Sequence, residues 1–216
     1  PVHWSPTAVD ALRRALRTAE LLRKEVDHRA KNSLQLLASL TSLQSRAAPE
    51  PQTRAALDLV RNRIASLSDL HDLLHKTDAG GAISLEQYLP QVIDTLRSTL
   101  PAHVTLTAEI SPVQVISGVA TSLALLVNEL VTNSAKHAFP DTVVSGSILL
   151  SVTRSADGAV KMSYRDTGVG VPPDASTKGL GTKVMASLAA QLSGKLTVAK
   201  GGPGHRVDLT FVPALS

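Results

Sequence analysis

The stretch that decides the fold of the second half of this chain reads LVNELVTNSAKH, residues 126–137. Its apolar residues recur at helical spacing, and the pattern extends back to residue 117, so it predicts a helix over 117–137. The other face of this helix gathers two carboxamides, a carboxylate and an amine: Asn128, Asn133, Glu129 and Lys136. Carboxamide and carboxylate oxygens suit Mg²⁺, and the lysine would balance phosphate charge. A solvated helix face is the alternative interpretation.

A second motif, DTGVG at residues 166–170, follows a predicted strand at 159–165. Glycines there let the backbone approach a ligand closely, and the side chain of Asp166 can accept a hydrogen bond from an exocyclic amine. Asp-Thr-Gly also occurs in aspartic proteases. Those folds are nearly all β, whereas this chain is largely helical, and short motifs often match by chance.

A third motif, Gly179-Leu180-Gly181, stands at the start of a helix predicted over 178–192. Glycines before a helix N-terminus leave free N–H donors at the positive end of the helix dipole, which suits a phosphate. The segment 171–178 is polar and contains two prolines, so we predict a lid rather than core structure there.

Taken in order, the three motifs resemble the N, G1 and G2 boxes of the GHKL ATPases, the family of histidine kinases, gyrase, Hsp90 and MutL. The resemblance covers about residues 84–216 and implies an α/β-sandwich domain that binds ATP and Mg²⁺. It implies that Asn128, as the metal ligand, and Asn133 serve the Mg²⁺–phosphate, with Glu129 nearby as a base. It also implies that Asp166 reads the adenine amine. The remaining residues assigned to the nucleotide are Lys136, Gly168, Gly170, Gly179 and Gly181. A third glycine box matches only loosely at Gly202 and Gly204, with Thr210 as a second adenine contact.

The rest of the second half alternates between helix and strand patterns. A helix is predicted over 84–98, and strands over 103–110, 113–116, 147–154, 159–165, 195–200 and 206–212. Hairpin-joined strands mixed with helices are typical of an α+β fold in which helices cover one face of a sheet.

The first half predicts a helical hairpin. Apolar residues, mostly leucines, recur at steps of three or four on both sides of the break at residues 47–51, where two prolines stop the first helix. Two helices alone bury such stripes poorly, so we expect a two-fold dimer that completes a four-helix bundle. His71 and His75, four apart on the second helix, could pair on a metal but lack an evident third ligand, and packing or polar surface is the other interpretation.

One histidine of the first helix has a distinctive neighbourhood. His28 lies about 200° around the helix from Val26 of the apolar stripe, and an exposed imidazole can act as a nucleophile. A solvated helical histidine is the other interpretation. The string DHRAKN, residues 27–32, resembles the His-Arg-x-x-Asn phosphoacceptor box of the second dimerisation family of histidine kinases. In the sister HWE group, His137 would fit, but Tyr164-Arg165-Asp166 lacks the Trp-x-Glu mark.

Together the two resemblances cover nearly the whole chain and imply the core of a two-component sensor histidine kinase. Residues 1–79 would form the dimerisation and histidine-phosphotransfer domain and residues 80–216 the ATP-binding domain. His28 would take the γ-phosphoryl group of ATP and pass it to an aspartate in the receiver domain of a response regulator. Asp27 would orient or deprotonate the imidazole and Arg29 would steady the phosphoryl group. Asn32 would orient water for the reverse, phosphatase reaction.

Two rival functions share this architecture. One is a histidine phosphotransferase or phosphatase whose ATP site is silent, against which the intact Asn128, Asp166, Gly168 and Gly170 argue. The other is a non-enzymatic dimeric binding module of the anti-sigma kind. Nucleotide binding without phosphoryl transfer would favour the second.

Composition narrows the remaining classes. The chain has 216 residues, a net charge of +4 and no cysteine, which excludes disulfide scaffolds, thiol catalysis and cysteine-ligated zinc. With one Trp, two Tyr and two Phe, it lacks stacking platforms, and we expect no nucleic-acid partner. No apolar run reaches the length of a membrane span and no signal-peptide pattern opens the chain. We therefore expect a cytoplasmic chain without membrane contact, preceded by a sensor segment outside this sequence.

Overall fold

The computed structural model of the chain describes residues 6–77, 82–140, 142–170, 180–199 and 203–213. By its internal contacts the chain divides into two compact units, Pro1–Ser68 and Asp69–Ser216. The expected order, a helical first part followed by a mixed sheet-and-helix part, is confirmed. The functional boundary between residues 79 and 80 stays a prediction. Within the described ranges, no helix is both long enough and apolar enough to cross a membrane.

Two long helices begin the chain: α1 (Pro6–Ala47) and α2 (Pro51–Thr77). Each begins at a proline, where the missing N–H costs nothing because the first turn has no partner for it. The connection is three residues long rather than the predicted five, and side chains fix it. Ser45 Oγ donates to Asp58 Oδ1 at 2.9 Å, and the Arg54 guanidinium donates to the Ala48 carbonyl at 2.9 Å.

Helix α1 leaves its apolar side chains exposed within a single chain. The exposed residues that share this character are Leu12, Leu16, Leu21, Leu22, Val26, Leu36, Leu37, Leu40 and Leu43. Most of them belong to the stripe that the sequence pattern predicts. The expectation that this stripe is poorly buried within one chain is therefore met.

The second unit contains, in chain order, β1 (Ala82–Ser84), α3 (Leu85–Arg97), β2 (Val104–Ile110), β3 (Gln114–Ile116), α4 (Ser117–His137), β4 (Gly146–Arg154), β5 (Val160–Asp166), α5 (Leu180–Gln191), β6 (Lys195–Val198) and β7 (Arg206–Phe211). Five of the strands form one sheet in the order β2-β4-β5-β7-β6. Strands β2 and β4 run parallel and the other neighbours antiparallel. The short strand β1, which the sequence does not predict, pairs with β3.

Alternation along the strands gives the sheet one buried and one open face. On β4, Ile148, Leu150 and Val152 are fully buried, whereas Leu149 between them is 42% exposed. The buried face and the apolar sides of α3, α4 and α5 form one core, together with Leu70 and Leu73 of α2. The predicted sheet with helices on one face is confirmed, and the core is almost entirely aliphatic because the chain has so few aromatic residues.

The two faces of β4 predict opposite responses to truncation. We expect Ile148→Ala to lower the free energy of unfolding by about 2–5 kcal/mol, because it leaves a cavity in a packed core. Leu149→Ala, one residue along on the open face, should cost less than about 1 kcal/mol. Urea denaturation followed by circular dichroism measures both. Equal losses in the two variants would contradict the assignment of the buried face.

Candidate functional site

The polar face of α4 is only partly open to solvent. Asn128 and Glu129 are buried, with 9% and 7% of their surfaces exposed, while Asn133 is half-buried and Lys136 is exposed. A buried carboxamide and a buried carboxylate must be held by partners in the protein or by a ligand, since burial without them is costly. Asn128 and Glu129 are therefore not part of a solvated helix face. That interpretation holds only for the end of the motif, at Lys136.

Asp166, the last residue of β5, is the most enclosed polar group of the predicted site, with 1% of its surface exposed. Its Oδ1 accepts hydrogen bonds from the backbone N–H groups of Gly168 and His205, both at 3.0 Å. Its Oδ2 accepts from the Ser134 hydroxyl at 2.5 Å. Because Ser134 follows Asn133 directly on α4, this bond brings the first two predicted motifs together.

Tyr164 completes this cluster, and the sequence analysis missed it. The Tyr164 hydroxyl lies 2.7 Å from Ser134 Oγ and 3.2 Å from the Leu130 carbonyl. Two signals in the sequence point to these residues in hindsight. Ser134 lies inside the helical motif. Tyr164 stands two residues before Asp166 on the same strand, and this spacing places the side chains of Tyr164 and Asp166 on one face of that strand.

Two glycines near Asp166 are required by the backbone around them. A Cβ on Gly168 would lie 2.4 Å from the Ala138 carbonyl oxygen at the end of α4. Gly204 has a φ of +80°, and a Cβ there would lie 2.0 Å from the Asp166 carbonyl oxygen. The motif predicts that a ligand approaches the backbone closely at Gly168, but the atoms nearest to a Cβ at this position belong to Ala138 at the end of α4.

His205, the residue before β7, contributes its backbone to the cluster. Its backbone pairs with Asp166 in both directions, since the Asp166 N–H also donates to the His205 carbonyl at 2.9 Å. The ring is half-buried, and burial lowers the pKa of His205, although the nearby Asp166 carboxylate acts in the opposite direction.

The predicted phosphoacceptor segment lies on α1. His28, Arg29 and Asn32 are all exposed, and Asn32 Nδ2 lies 3.2 Å from His28 Nδ1. Arg29 Nε donates to Glu25 Oε1 at 2.7 Å, and this hydrogen bond lowers the pKa of Glu25. Asp27 lies within α1, but its side chain is outside the described set.

The remaining predicted residues divide into three groups. Gly170 ends the second motif with a φ of +77°, a conformation that favours glycine, and Gly181 lies in the first turn of α5. Gly179, the predicted lid at 171–178 and Gly202 lie outside the described residues. Thr210 lies on the exposed face of β7, whereas Asp166 belongs to the buried face of β5, so the structure does not bring these two side chains together.

The contact around Gly168 predicts a steric penalty. We expect Gly168→Ala to lower the free energy of unfolding by about 1–3 kcal/mol, because its methyl group would meet a backbone carbonyl that cannot turn away. Gly118→Ala is the matched control on α4, since a Cβ there meets nothing within 4 Å. The free energy of unfolding of that variant should rise by up to about 1 kcal/mol, because alanine lowers the backbone entropy of the unfolded chain. Thermal unfolding compares the two, and a neutral Gly168→Ala would disprove the close approach.

Burial of His205 predicts a loss of stability in acid. The folded-state pKa lies below the unfolded value of about 6.5, so the unfolded chain takes up the proton first. The free energy of unfolding should therefore fall as the pH drops below about 6.5, down to the lowered pKa of the folded state. His205→Gln should flatten this part of the curve, measured as urea midpoints between pH 7 and pH 5. An identical slope in the variant would show that another group is responsible.

Comparison with known families accounts for most of the chain. Residues 25–100 match the family model described as histidine kinase. Residues 118–215 match the one described as histidine kinase-, DNA gyrase B- and HSP90-like ATPase. The first match contains the His28–Asn32 pair, and the second contains the Asp166 cluster.

Individual relatives agree with these matches. The sensor histidine kinase PdtaS of Mycobacterium tuberculosis is 28% identical over 198 residues, which are 88% of this chain and 39% of that protein. Blue-light-activated histidine kinase 2 of Erythrobacter litoralis is 28% identical over 207 residues, which are 89% of this chain and 58% of that protein. The chain therefore spans less than two thirds of either relative.

Among solved structures, the histidine kinase domain of the Erythrobacter litoralis EL346 blue-light activated histidine kinase superposes with a TM-score of 0.63 at 21% identity. The similarity covers 82% of this chain and 95% of that domain, and it shows a common fold.

Proposed function

Because the chain belongs to the histidine kinase family, we propose that it transfers the γ-phosphoryl group of ATP to His28 and then to an aspartate of a response regulator. The observation that carries the proposal is the buried carboxylate of Asp166 beside the carboxamide-bearing face of α4, in the same chain as the exposed His28. The first arrangement suits a nucleotide and the second suits a phosphoacceptor.

The nucleotide site is proposed around α4 and the end of β5. An ionised carboxylate offers about four lone-pair positions, and among the described residues three donors occupy three of those on Asp166, so the fourth would serve the adenine amine. Asn128, as metal ligand, and Asn133 would hold the Mg²⁺–phosphate, with Glu129 near them as a base. Lys136, exposed at the end of α4, would approach the phosphates. The backbone at Gly168, Gly170, Gly179 and Gly181 would surround the nucleotide.

The residues present fit a magnesium ion that shares its shell with phosphates. Among the described residues, no three His, Cys, Asp or Glu side chains gather into a metal site of their own. Mg²⁺ usually keeps several waters and takes only one or two protein ligands beside substrate phosphates, so carboxamide oxygens suffice. When bound, the ion supplies neutralisation of the charge on the phosphates.

The phosphoacceptor chemistry is proposed at Nε2 of His28. Asn32 Nδ2 lies 3.2 Å from Nδ1, and Nε2 would be the nitrogen that attacks the γ-phosphorus in line as the bond to the ADP oxygen breaks. Attack by Nε2 requires the proton on Nδ1, so the Asn32 carboxamide would have to turn its oxygen toward the ring and accept that proton's hydrogen bond. Asp27 would orient or deprotonate the imidazole. Arg29 would first have to leave Glu25 in order to steady the phosphoryl group.

We also propose that two copies pair through α1. Histidine kinases generally dimerise and signal to response regulators. The exposed leucine stripe of α1 is the surface that a second copy would cover, completing a four-helix bundle on which the receiver domain of a response regulator would dock. In the reverse, phosphatase reaction on that regulator, Asn32 would orient water.

The test is incubation with γ-labelled ATP and Mg²⁺, with wild type beside His28→Gln and Asp166→Asn. We expect acid-labile, base-stable label in wild type, none in His28→Gln, and less than wild type in Asp166→Asn at limiting ATP. His28→Gln should still bind ATP, because it removes the nucleophile and leaves the nucleotide site intact. Asp166→Asn should lower ATP affinity by about tenfold or more, because it replaces a charged acceptor. Gln44→Ala, an exposed substitution on the same helix, is the control and should be labelled like wild type.

Other outcomes distinguish the rivals. Label retained in His28→Gln would remove His28 from the reaction. ATP binding without label in wild type would favour a phosphotransferase or phosphatase with a silent site, or a binding module. Transfer of phosphoryl between His28 and a receiver domain separates those two, because a pure binding module supports none.

A further inference from the structure

The hydrogen bonds around Asp166 have a donor-to-acceptor direction that follows from the chemistry of the side chains. A carboxylate only accepts hydrogen bonds, so Ser134 must donate its one proton to Asp166 Oδ2. Ser134 Oγ is then free to accept, and the Tyr164 hydroxyl, 2.7 Å away, is the donor, sharing its one proton with the more distant Leu130 carbonyl at 3.2 Å. Burial raises the pKa of Tyr164, so this phenol keeps its proton. The order of donation runs from Tyr164 through Ser134 to Asp166.

We infer that Ser134 and Tyr164 are positioning residues that hold Asp166 as an acceptor toward the base of the nucleotide, and so select a 6-amino purine over a 6-oxo purine. This inference rests on the proposed nucleotide site. It goes beyond that site by assigning the specificity to a relay of two hydroxyl groups that do not touch the nucleotide.

The hydrogen bonds that the Asp166 carboxylate already accepts determine which group of a base it can still bind. Two backbone N–H groups occupy Oδ1, and the Ser134 hydroxyl occupies one position on Oδ2. A carboxylate fixed in this way can rotate little, and its remaining lone pair on Oδ2 keeps one direction. A 6-amino group would donate to that lone pair. A 6-oxo group would present a second acceptor to it, which leaves two buried acceptors facing each other without a proton.

The surroundings show why the relay is needed. Asp166 is almost fully enclosed, and its hydrogen-bond partners within the described part of the chain are neutral donors rather than a lysine or an arginine. Ser134 and Tyr164 are also buried, at 3% and 0% exposure, so water does not replace either hydroxyl without rearrangement. The hydroxyl relay is therefore the protein's own means of keeping Oδ2 oriented.

The experiment measures dissociation constants of ATP and of inosine triphosphate, its 6-oxo counterpart, by titration calorimetry on the full chain with Mg²⁺. In Ser134→Ala we expect ATP affinity to fall by about tenfold while inosine triphosphate changes little, so that the affinity ratio narrows by about the same factor. Tyr164→Phe should narrow the ratio less, because Ser134 can still donate to Asp166. Ser134→Thr keeps the hydroxyl and should restore the wild-type ratio.

The matched control is Ser122→Ala. Ser122 is also a buried serine of α4, but its hydroxyl bonds to the Gly118 carbonyl and lies 3.3 Å from Gln191 Oε1. This variant should keep the wild-type affinity ratio. Thermal unfolding of every variant is measured alongside, so that a loss of folding is seen separately from a loss of selectivity.

Two results would overturn the inference, and they are distinguishable. If wild type binds ATP but the ratio in Ser134→Ala and Tyr164→Phe equals that of wild type, then the relay is only structural and the proposed function survives. If folded wild type binds neither nucleotide, then both the proposed function and the inference fail.

Discussion

The carboxylate of Asp166 is the point on which the second unit depends. It accepts hydrogen bonds from a helix through Ser134, from the turn after its own strand through Gly168, and from the backbone that enters the neighbouring strand through His205. Three separate parts of the chain therefore converge on one side chain. A charge so enclosed is tolerated only because these donors replace the water that it loses on folding.

The same contact explains why α4 has an unusual composition. A helix packed between a sheet and other helices is normally apolar on most sides, and α4 has a fully buried set that includes Leu123, Leu126 and Leu130. Its carboxamide and charged residues all lie in its second half, where Ser134 reaches the end of β5. The helix thus changes along its own length from a core element to the support of the buried Asp166, within one continuous run from Ser117 to His137.

The fold and the site could be predicted from the sequence to different degrees. Long periodic segments gave the helices α1, α2 and α4, and alternation gave the strands of the main sheet, because burial on one face leaves a regular trace. Strand β1 has only three residues, too few for any period, and its pairing with β3 depends on contacts distant in sequence. Burial of Asn128 and Glu129 also had no local signal, since it depends on what packs over the helix. Motif resemblance located Asp166, but its partners Ser134 and Tyr164 became evident only in three dimensions.

The crowding at Gly168 and Gly204 changes how these motifs should be interpreted across relatives. Both glycines lie against backbone carbonyls, of Ala138 and of Asp166 itself, so a descendant that had lost its nucleotide would still lose stability by replacing them. These glycines are thus needed by the fold whether or not the chain binds ATP. Their presence is therefore weak evidence that the ATP site is active. Evolutionary loss of the chemistry would be recorded first at residues that the fold does not need, such as the exposed Lys136 and His28.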